Sequence, residues 1–255
     1  MPTGQQPLDH LLVARGLAAD RVQARALIMA GRVSGQGRRY TKPGLRLPPN
    51  TTLKVRAAAA YVSRGGEKLV AALDAWPIEI AGRVCLDIGA STGGFSDCLR
   101  QHGAARVYAV DVGYGQISSQ LRDDPRIIVM ERTHVRDLPS LDPAPSLITV
   151  DVSFLSARVA LEAAAARAEP GADAIVLVKP QFELPRAQVD ARGVVTDPLG
   201  HASAVALLLH WARQRRWRLG GVRISPLRGP AGNHEFLVWL RAPNAQASNP
   251  GILDQ

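Results

Sequence analysis

Residues 84–95, Val-Cys-Leu-Asp-Ile-Gly-Ala-Ser-Thr-Gly-Gly-Phe, constrain the fold of this chain more than any other stretch. The run from Val84 to Ile88 has no solvent-facing alternation, the pattern of a strand covered on both faces. A glycine-rich turn follows, and Phe95 to Gln101 then reads as a helix. Glycines at 89, 93 and 94 let the backbone turn sharply and let a ligand approach without a Cβ in the way. The start of the next helix offers free N–H groups and the positive end of its dipole. About 20 residues on, a second apolar strand, Val107 to Val110, ends in Asp111, where a carboxylate can grip both hydroxyls of a ribose.

The spacing Gly-Ala-Ser-Thr-Gly-Gly is not the G-x-G-x-x-G that seats a pyrophosphate, which disfavours a nicotinamide dinucleotide and an oxidoreductase. Asp87 stands two residues before the first glycine, where a carboxylate can hold an ammonium group. S-adenosylmethionine carries a ribose, an amine and no phosphate, so it is the expected cofactor. Its expected contacts are Asp87, the turn Gly89, Ala90, Ser91, Thr92, Gly93, Gly94 and Phe95, and then Asp111 and Val112. A tight turn without a ligand would leave both carboxylates unexplained.

The formal charge of +9 is unevenly spread over the 255 residues. Residues 1–60 hold ten Lys or Arg against Asp9 and Asp20, a net of +8, while the remaining 21 basic and 20 acidic residues balance to +1. A basic excess concentrated in one segment points to a polyanionic partner. No apolar run approaches the ~18 residues of a membrane span, and no signal pattern opens the chain, so a cytoplasmic protein is expected. Cys85 and Cys98 read as buried free thiols. The six histidines lack metal-ligand spacing, and no metal is expected. No protein partner is readable.

Leu8 to Gly16 reads as a helix with Leu8, Leu11, Leu12 and the later Leu17 on one face. Asp20 can cap a second helix, Arg21 to Ala30, whose apolar residues Val22, Ala26 and Met29 recur at helical spacing. Gly31 stops it. Arg15, Arg21, Arg25 and Arg32 are then available for one charged side, with Arg38, Arg39 and Lys42 in the turn-rich segment that follows. Leu53 to Val55 reads as a short strand. The pattern Leu-Asp-x-x-Leu-x-x-x-Gly-Leu-Ala, then Arg21, Gln23-Ala24, Leu27-Ile28, Gly31 and Val33, resembles the S4-type RNA-binding domain. Pro7 stands where that family usually has arginine, and Asp20 where it usually has serine.

Beyond a small-residue linker, Ala57 to Ala60, a polar start at Tyr61-Val-Ser-Arg-Gly-Gly-Glu-Lys leads into a helix reaching Ala75, expected near the catalytic cleft. Strands near 84–88, 107–111, 127–131, 146–152 and 174–179 alternate with helices, which implies a largely parallel, doubly wound sheet. Strands near 219–225 and 235–241 follow a helix around Ala202 to Arg215. Ligands in such sheets bind beyond the carboxyl ends of the strands, which selects Gly89, Asp111, Asp151 and Lys179. Phe182 reads as packing rather than base stacking.

Five motifs occur in order: Gly-Ala-Ser-Thr-Gly-Gly-Phe, Asp-Val-Gly-Tyr-Gly-Gln at 111–116, Asp-Val-Ser-Phe at 151–154, Val-Lys-Pro-Gln-Phe-Glu at 178–183, and Gly-Asn-His-Glu-Phe at 232–236. With them the chain, from Leu8 to about Arg241, closely resembles the TlyA family of hemolysin-A-like rRNA methyltransferases. The resemblance implies an S4-type α+β domain at 1–60 and an FtsJ-like domain at 61–243. The latter would have the Rossmann-like class I methyltransferase fold, a mainly parallel seven-stranded sheet with helices on both faces. Residues 244–255 match nothing and read as a disordered tail.

The resemblance further implies methyl transfer from S-adenosylmethionine to the ribose 2′-hydroxyl of cytidine in ribosomal RNA or ribosomal subunits. It implies a Lys-Asp-Lys-Glu tetrad, which falls on Lys68, Asp151, Lys179 and Glu235. A hydroxyl is a poor nucleophile that must be oriented and must lose its proton. Lys179 is the expected base with Lys68 as a cationic neighbour, and Asp151 and Glu235 are expected to fix the two ammonium groups. A non-catalytic RNA-binding protein on a degenerate methyltransferase fold would lack part of this tetrad, and a membrane-active hemolysin would need an amphipathic or spanning apolar segment.

Overall fold

A computed structural model describes residues 4–56 and 60–244. Ala57 to Ala59 of the expected linker, and all of the expected tail but Asn244, lie outside the described residues. The chain divides into two compact units, Met1–Ala59 and Ala60–Gln255.

The first unit runs β1 (Gln6–Pro7), α1 (Leu8–Ala14), α2 (Arg21–Met29), β2 (Val33–Gly35), β3 (Arg38–Tyr40), β4 (Arg46–Leu47) and β5 (Lys54–Val55). β2 pairs antiparallel with β3 and β5, and β1 with β4. Asp20 caps α2, accepting from the Gln23 N–H at 2.7 Å. The core is Leu8, Leu11 and Leu12 of α1 against Leu27 and Ile28 of α2, closed by Val33, Tyr40 and Leu53.

The buried face of α2 corrects the expected one. Ala24, Leu27 and Ile28 point inward, while Val22 and Met29 are 78% and 66% exposed and Ala26 is exposed. Both stripes have helical spacing. The stripe with two adjacent large aliphatics buries more apolar surface, at about 1.5–3 kcal/mol per side chain, and that decides which faces α1.

The second unit follows as α3 (Gly65–Ala75), β6 (Val84–Ile88), α4 (Gly94–Gln101), β7 (Arg106–Val110), α5 (Ser119–Arg122), β8 (Ile127–Met130), β9 (Leu147–Val150), α6 (Ala157–Ala165), β10 (Asp173–Val178), α7 (Pro180–Glu183), α8 (Pro198–Gln214), β11 (Arg218–Ile224) and β12 (Phe236–Arg241). Its seven strands lie in the order β11-β12-β10-β9-β6-β7-β8. Only β12 runs against the rest, antiparallel to both neighbours. Along β6 the side chains alternate between two cores. Cys85 packs with Leu69, Leu99 and Val107 on the α3/α4 face, and Leu86 and Ile88 pack with Ile148, Leu161 and Leu208 on the α6/α8 face.

The chain goes from β6 outward to β7 and β8, then returns to β9 on the other side of β6. The gap between β6 and β9 is therefore the switch point, where such sheets bind ligands. Gly89 sits there with φ +85°, and a Cβ on it would lie 2.4 Å from the Asp151 carbonyl oxygen. Only glycine allows the two loops to come that close.

Candidate active site

Four elements converge at the carboxyl end of the sheet. Lys68 projects from the first turn of α3, Asp151 follows β9, Lys179 follows β10 and precedes α7, and Glu235 immediately precedes β12. Because β12 is reversed, its start lies at the same end as the finish of β10, with Phe236 opposite Val178. All four side chains line one cavity of about 280 Å³, together with Ser63, Arg64, Ala90, Thr92, Gly94 and Phe95.

The charges are arranged as two ion pairs. Lys68 Nζ donates to Glu235 Oε2 at 2.5 Å, and Lys179 Nζ lies 2.7 Å from Asp151 Oδ1. Each ammonium therefore meets a carboxylate first, rather than the other ammonium. The Lys179–Asp151 contact lies off the hydrogen-bond axis, and Asp151 Oδ1, though buried, accepts no hydrogen bond among the described residues. Lys179 also donates to Ser153 Oγ at 3.2 Å.

A second cavity of about 480 Å³ adjoins the first, sharing Gly89, Ser91, Asp151 and Ser153. Asp111 stands in its wall, one oxygen accepting from the Ser91 N–H and the other from the Gly113 N–H, both at 2.7 Å. A carboxylate has about four acceptor sites, so two remain for a vicinal diol. Val112, Val135 and Leu155 supply apolar wall, and neither Lys nor Arg is among the lining residues. Asp151 is matched by Lys179, but Asp111 has no cation beside it in this wall, which disfavours a pyrophosphate and suits a ligand with a ribose, a base and a positive charge. S-adenosylmethionine fits that description.

Of the expected cofactor residues, Gly89, Ser91, Asp111 and Val112 line the larger cavity, and Ala90, Thr92, Gly94 and Phe95 the smaller. Gly93 lines neither; a Cβ there would strike Leu121. Asp87 is a correction. It is fully buried, accepting from Ser96 Oγ at 2.6 Å and Thr149 Oγ1 at 2.8 Å, so no ligand ammonium reaches it. As the fourth residue of β6 it shares the face of Cys85, toward α4, and lines neither cavity. Burial pushes its carboxyl up to about 6, against the pull of those two hydroxyls.

In the first unit, four of the expected RNA-contacting cations already hold structural partners. Arg21 and Arg25 pair with the buried Asp9 at 3.1 and 2.9 Å. Burial pushes the Asp9 carboxyl up, but the hydrogen bonds from Arg25 and Arg21 outweigh it and hold the group below its usual range. Arg15 donates to the Thr51 and Pro49 carbonyls, and Arg32 to the Arg56 carbonyl at 2.9 Å. Arg38, Arg39 and Lys42 are exposed, and their side chains form no hydrogen bond or ion pair among the described residues.

Two residues at the site stood in a motif of the sequence reading, Asp-Val-Ser-Phe, without a role of their own. Ser153 holds Lys179, and Phe154 stands 92% exposed with φ +64°, its ring 5.2 Å from that of Phe182. The available signal was an aromatic residue just past the end of a buried strand, where packing does not require one. Phe182 packs against this ring.

Comparison with known proteins follows the same division. An FtsJ-like methyltransferase family model matches residues 61–242, and an S4 domain model matches residues 6–53. A Mycobacterium tuberculosis protein named 16S/23S rRNA (cytidine-2′-O)-methyltransferase TlyA is 46% identical over 252 residues, covering 97% of this chain and 94% of that one. Hemolysin A of Brachyspira hyodysenteriae is 34% identical over 91% of this chain and 98% of its own length. A solved structure from Streptococcus thermophilus superposes with a TM-score of 0.72 at 38% identity, over 94% of this chain and 90% of that one. With an S4 domain, an FtsJ-like domain and identities of this order over nearly its whole length, the chain belongs to the TlyA family of S-adenosylmethionine-dependent methyltransferases.

Proposed function

We propose that this chain transfers a methyl group from S-adenosylmethionine to the ribose 2′-hydroxyl of a cytidine in ribosomal RNA, acting in the cytoplasm on ribosomes or their subunits. The observation that carries this reading is the convergence of Lys68, Asp151, Lys179 and Glu235 on one cavity that opens beside the carboxylate-lined one. The cofactor, when bound, supplies a methyl group on a sulfonium, an electrophile that needs a nucleophile in line with it.

Asp111 holds the two ribose hydroxyls of the cofactor in this reading, and the Gly89–Phe95 turn receives the rest. The substrate hydroxyl comes to the cavity side of the Lys179–Asp151 pair. Lys179, after giving its own proton to solvent, takes the hydroxyl proton as the oxygen attacks, and Asp151 steadies the ammonium that results. Lys68, held by Glu235, keeps a positive charge near the developing oxyanion. Phe154 presents an aromatic face beside Ser153 on which the base of the reacting nucleotide can stack. Arg38, Arg39 and Lys42 hold the RNA through phosphates and set no sequence preference by themselves.

The test is methylation of purified ribosomal subunits and naked ribosomal RNA with labelled cofactor, followed by mass spectrometry of the nucleosides. Ribose-methylated cytidine supports the reading, and a methyl group on a base would sink it. A membrane-lytic role gains no support, since no helix among the described residues is long and apolar enough to cross a membrane.

A further inference from the structure

We propose that Glu183 is a positioning residue for methyl transfer, latching the 151–157 loop onto the turn that carries Lys179. This rests on the reading of Lys179 and Asp151 as the reacting pair.

The loop links the end of β9 to the start of α6, and its entry is fixed by the Asp151 N–H donating to the Ile88 carbonyl at 2.9 Å. Its middle faces the Lys179 turn, through Asp151 and Ser153 on Lys179 and through Phe154 on Phe182. Phe154 holds a positive φ of +64°. A non-glycine residue stays in that region only where its surroundings over-determine it. Its own side chain is almost wholly exposed and cannot do so alone.

The restraint comes two residues later. Ser156 Oγ donates to Glu183 Oε2 at 2.7 Å, and the Ala157 N–H donates to Glu183 Oε1 at 2.6 Å. The Glu183 side chain is 1% exposed, and Arg158 approaches it to 3.5 Å. Both carboxylate oxygens thus grip the exit of the loop. Glu183 closes the single turn of α7 that begins after Lys179, with Pro180 stiffening its first position. The same short turn therefore carries the reacting lysine at one end and the latch at the other. Glu183 adds to the cap that α6 already has in Ser156, whose Oγ accepts from the Arg158 N–H at 3.3 Å, by taking the Ala157 N–H from a different turn of the chain. The position at the N-terminal end of α6 also favours a negative charge.

Glu183→Gln tests this, since an amide offers one acceptor oxygen where the carboxylate offers two. Ser156→Ala removes a partner from the other side with less risk to the fold. For each variant and the double variant, kcat on ribosomal RNA, cofactor affinity by calorimetry and amide exchange across 152–157 would be measured. The expected result is a fall in kcat of about tenfold for each single variant, with cofactor affinity within about threefold and faster exchange confined to the loop. The double variant should be no worse than the more severe single one. Wild-type kcat and unchanged loop exchange in a variant that merely melts earlier would overturn the proposal, as would additive effects. If the wild-type protein methylates no ribose, the reading of Lys179 and Asp151 fails, while loop exchange still decides whether Glu183 restrains the loop.

Discussion

Lys68 Nζ meets Glu235 Oε2 at 2.5 Å, joining residues 167 positions apart in the sequence. The carboxylate is the deeper partner, 1% exposed against 12% for the lysine. Removing the lysine would strand a buried charge, a loss that typically costs about 3–5 kcal/mol. Lys68→Ala should therefore lower both activity and stability, and some methyl transfer should survive because the lysine is proposed to act only through the field around the oxygen. Urea denaturation beside single-turnover rates separates the two effects.

Lys179→Ala should abolish methyl transfer while cofactor still binds, since Lys179 is proposed to act on the nucleophile. Lys179→Arg should fail as well, because a guanidinium stays protonated and cannot accept a proton. An active Lys179→Arg enzyme would remove lysine from the role of base.

Asp111→Ala should weaken cofactor binding by about ten- to a hundredfold, the worth of a charge-assisted hydrogen-bond pair of about 1.5–3 kcal/mol. Calorimetry on the folded variant measures this directly. Unchanged affinity would move the ribose elsewhere.

Asp87 gives a pH prediction. The folded state holds its proton up to about pH 6, whereas the unfolded value is 3.8. Stability from this group is thus complete below about pH 4 and is lost as pH rises through about 6. Asp87→Asn keeps the shape and removes the loss. It should raise stability over the wild type at about pH 7.5 by an order of 2–3 kcal/mol, with the gain gone at about pH 4. Denaturant melts at the two pH values decide it.

The first unit divides its arginines by role. Arg38→Ala, Arg39→Ala and Lys42→Ala should weaken RNA binding and reduce its salt slope, by about 0.7–0.9 for each phosphate left without its cation. Arg21→Ala should instead cost stability, because Asp9 is buried beneath it. Titrations at several salt concentrations, paired with melts, would expose a reversed pattern.

The strand order and the reversed last strand were not readable residue by residue, but the elements themselves were, because runs such as Leu147 to Val150 and Asp173 to Val178 are apolar on both faces. Gly89 and Asp111 could be placed for the same reason, since strand ends are where ligands bind. Asp87 misled because a carboxylate one residue from a strand end looks the same in sequence whether it faces the ligand or the core, and only the pleat decides. The α2 face misled because two apolar stripes share one helix. Which lysine pairs with which carboxylate is a matter of strand adjacency, and that appears only when β12 lies beside β10.

That adjacency has a consequence for when activity can arise during synthesis. β12 is the last strand among the described residues, yet it lies inside the sheet, between β10 and β11. A nascent chain that has not yet docked Phe236–Arg241 has no Glu235 in place to neutralise Lys68, its β10 keeps an unpaired edge, and its β11 has no neighbour in the sheet. Methyl transfer should therefore appear in one step, with the closing of the sheet.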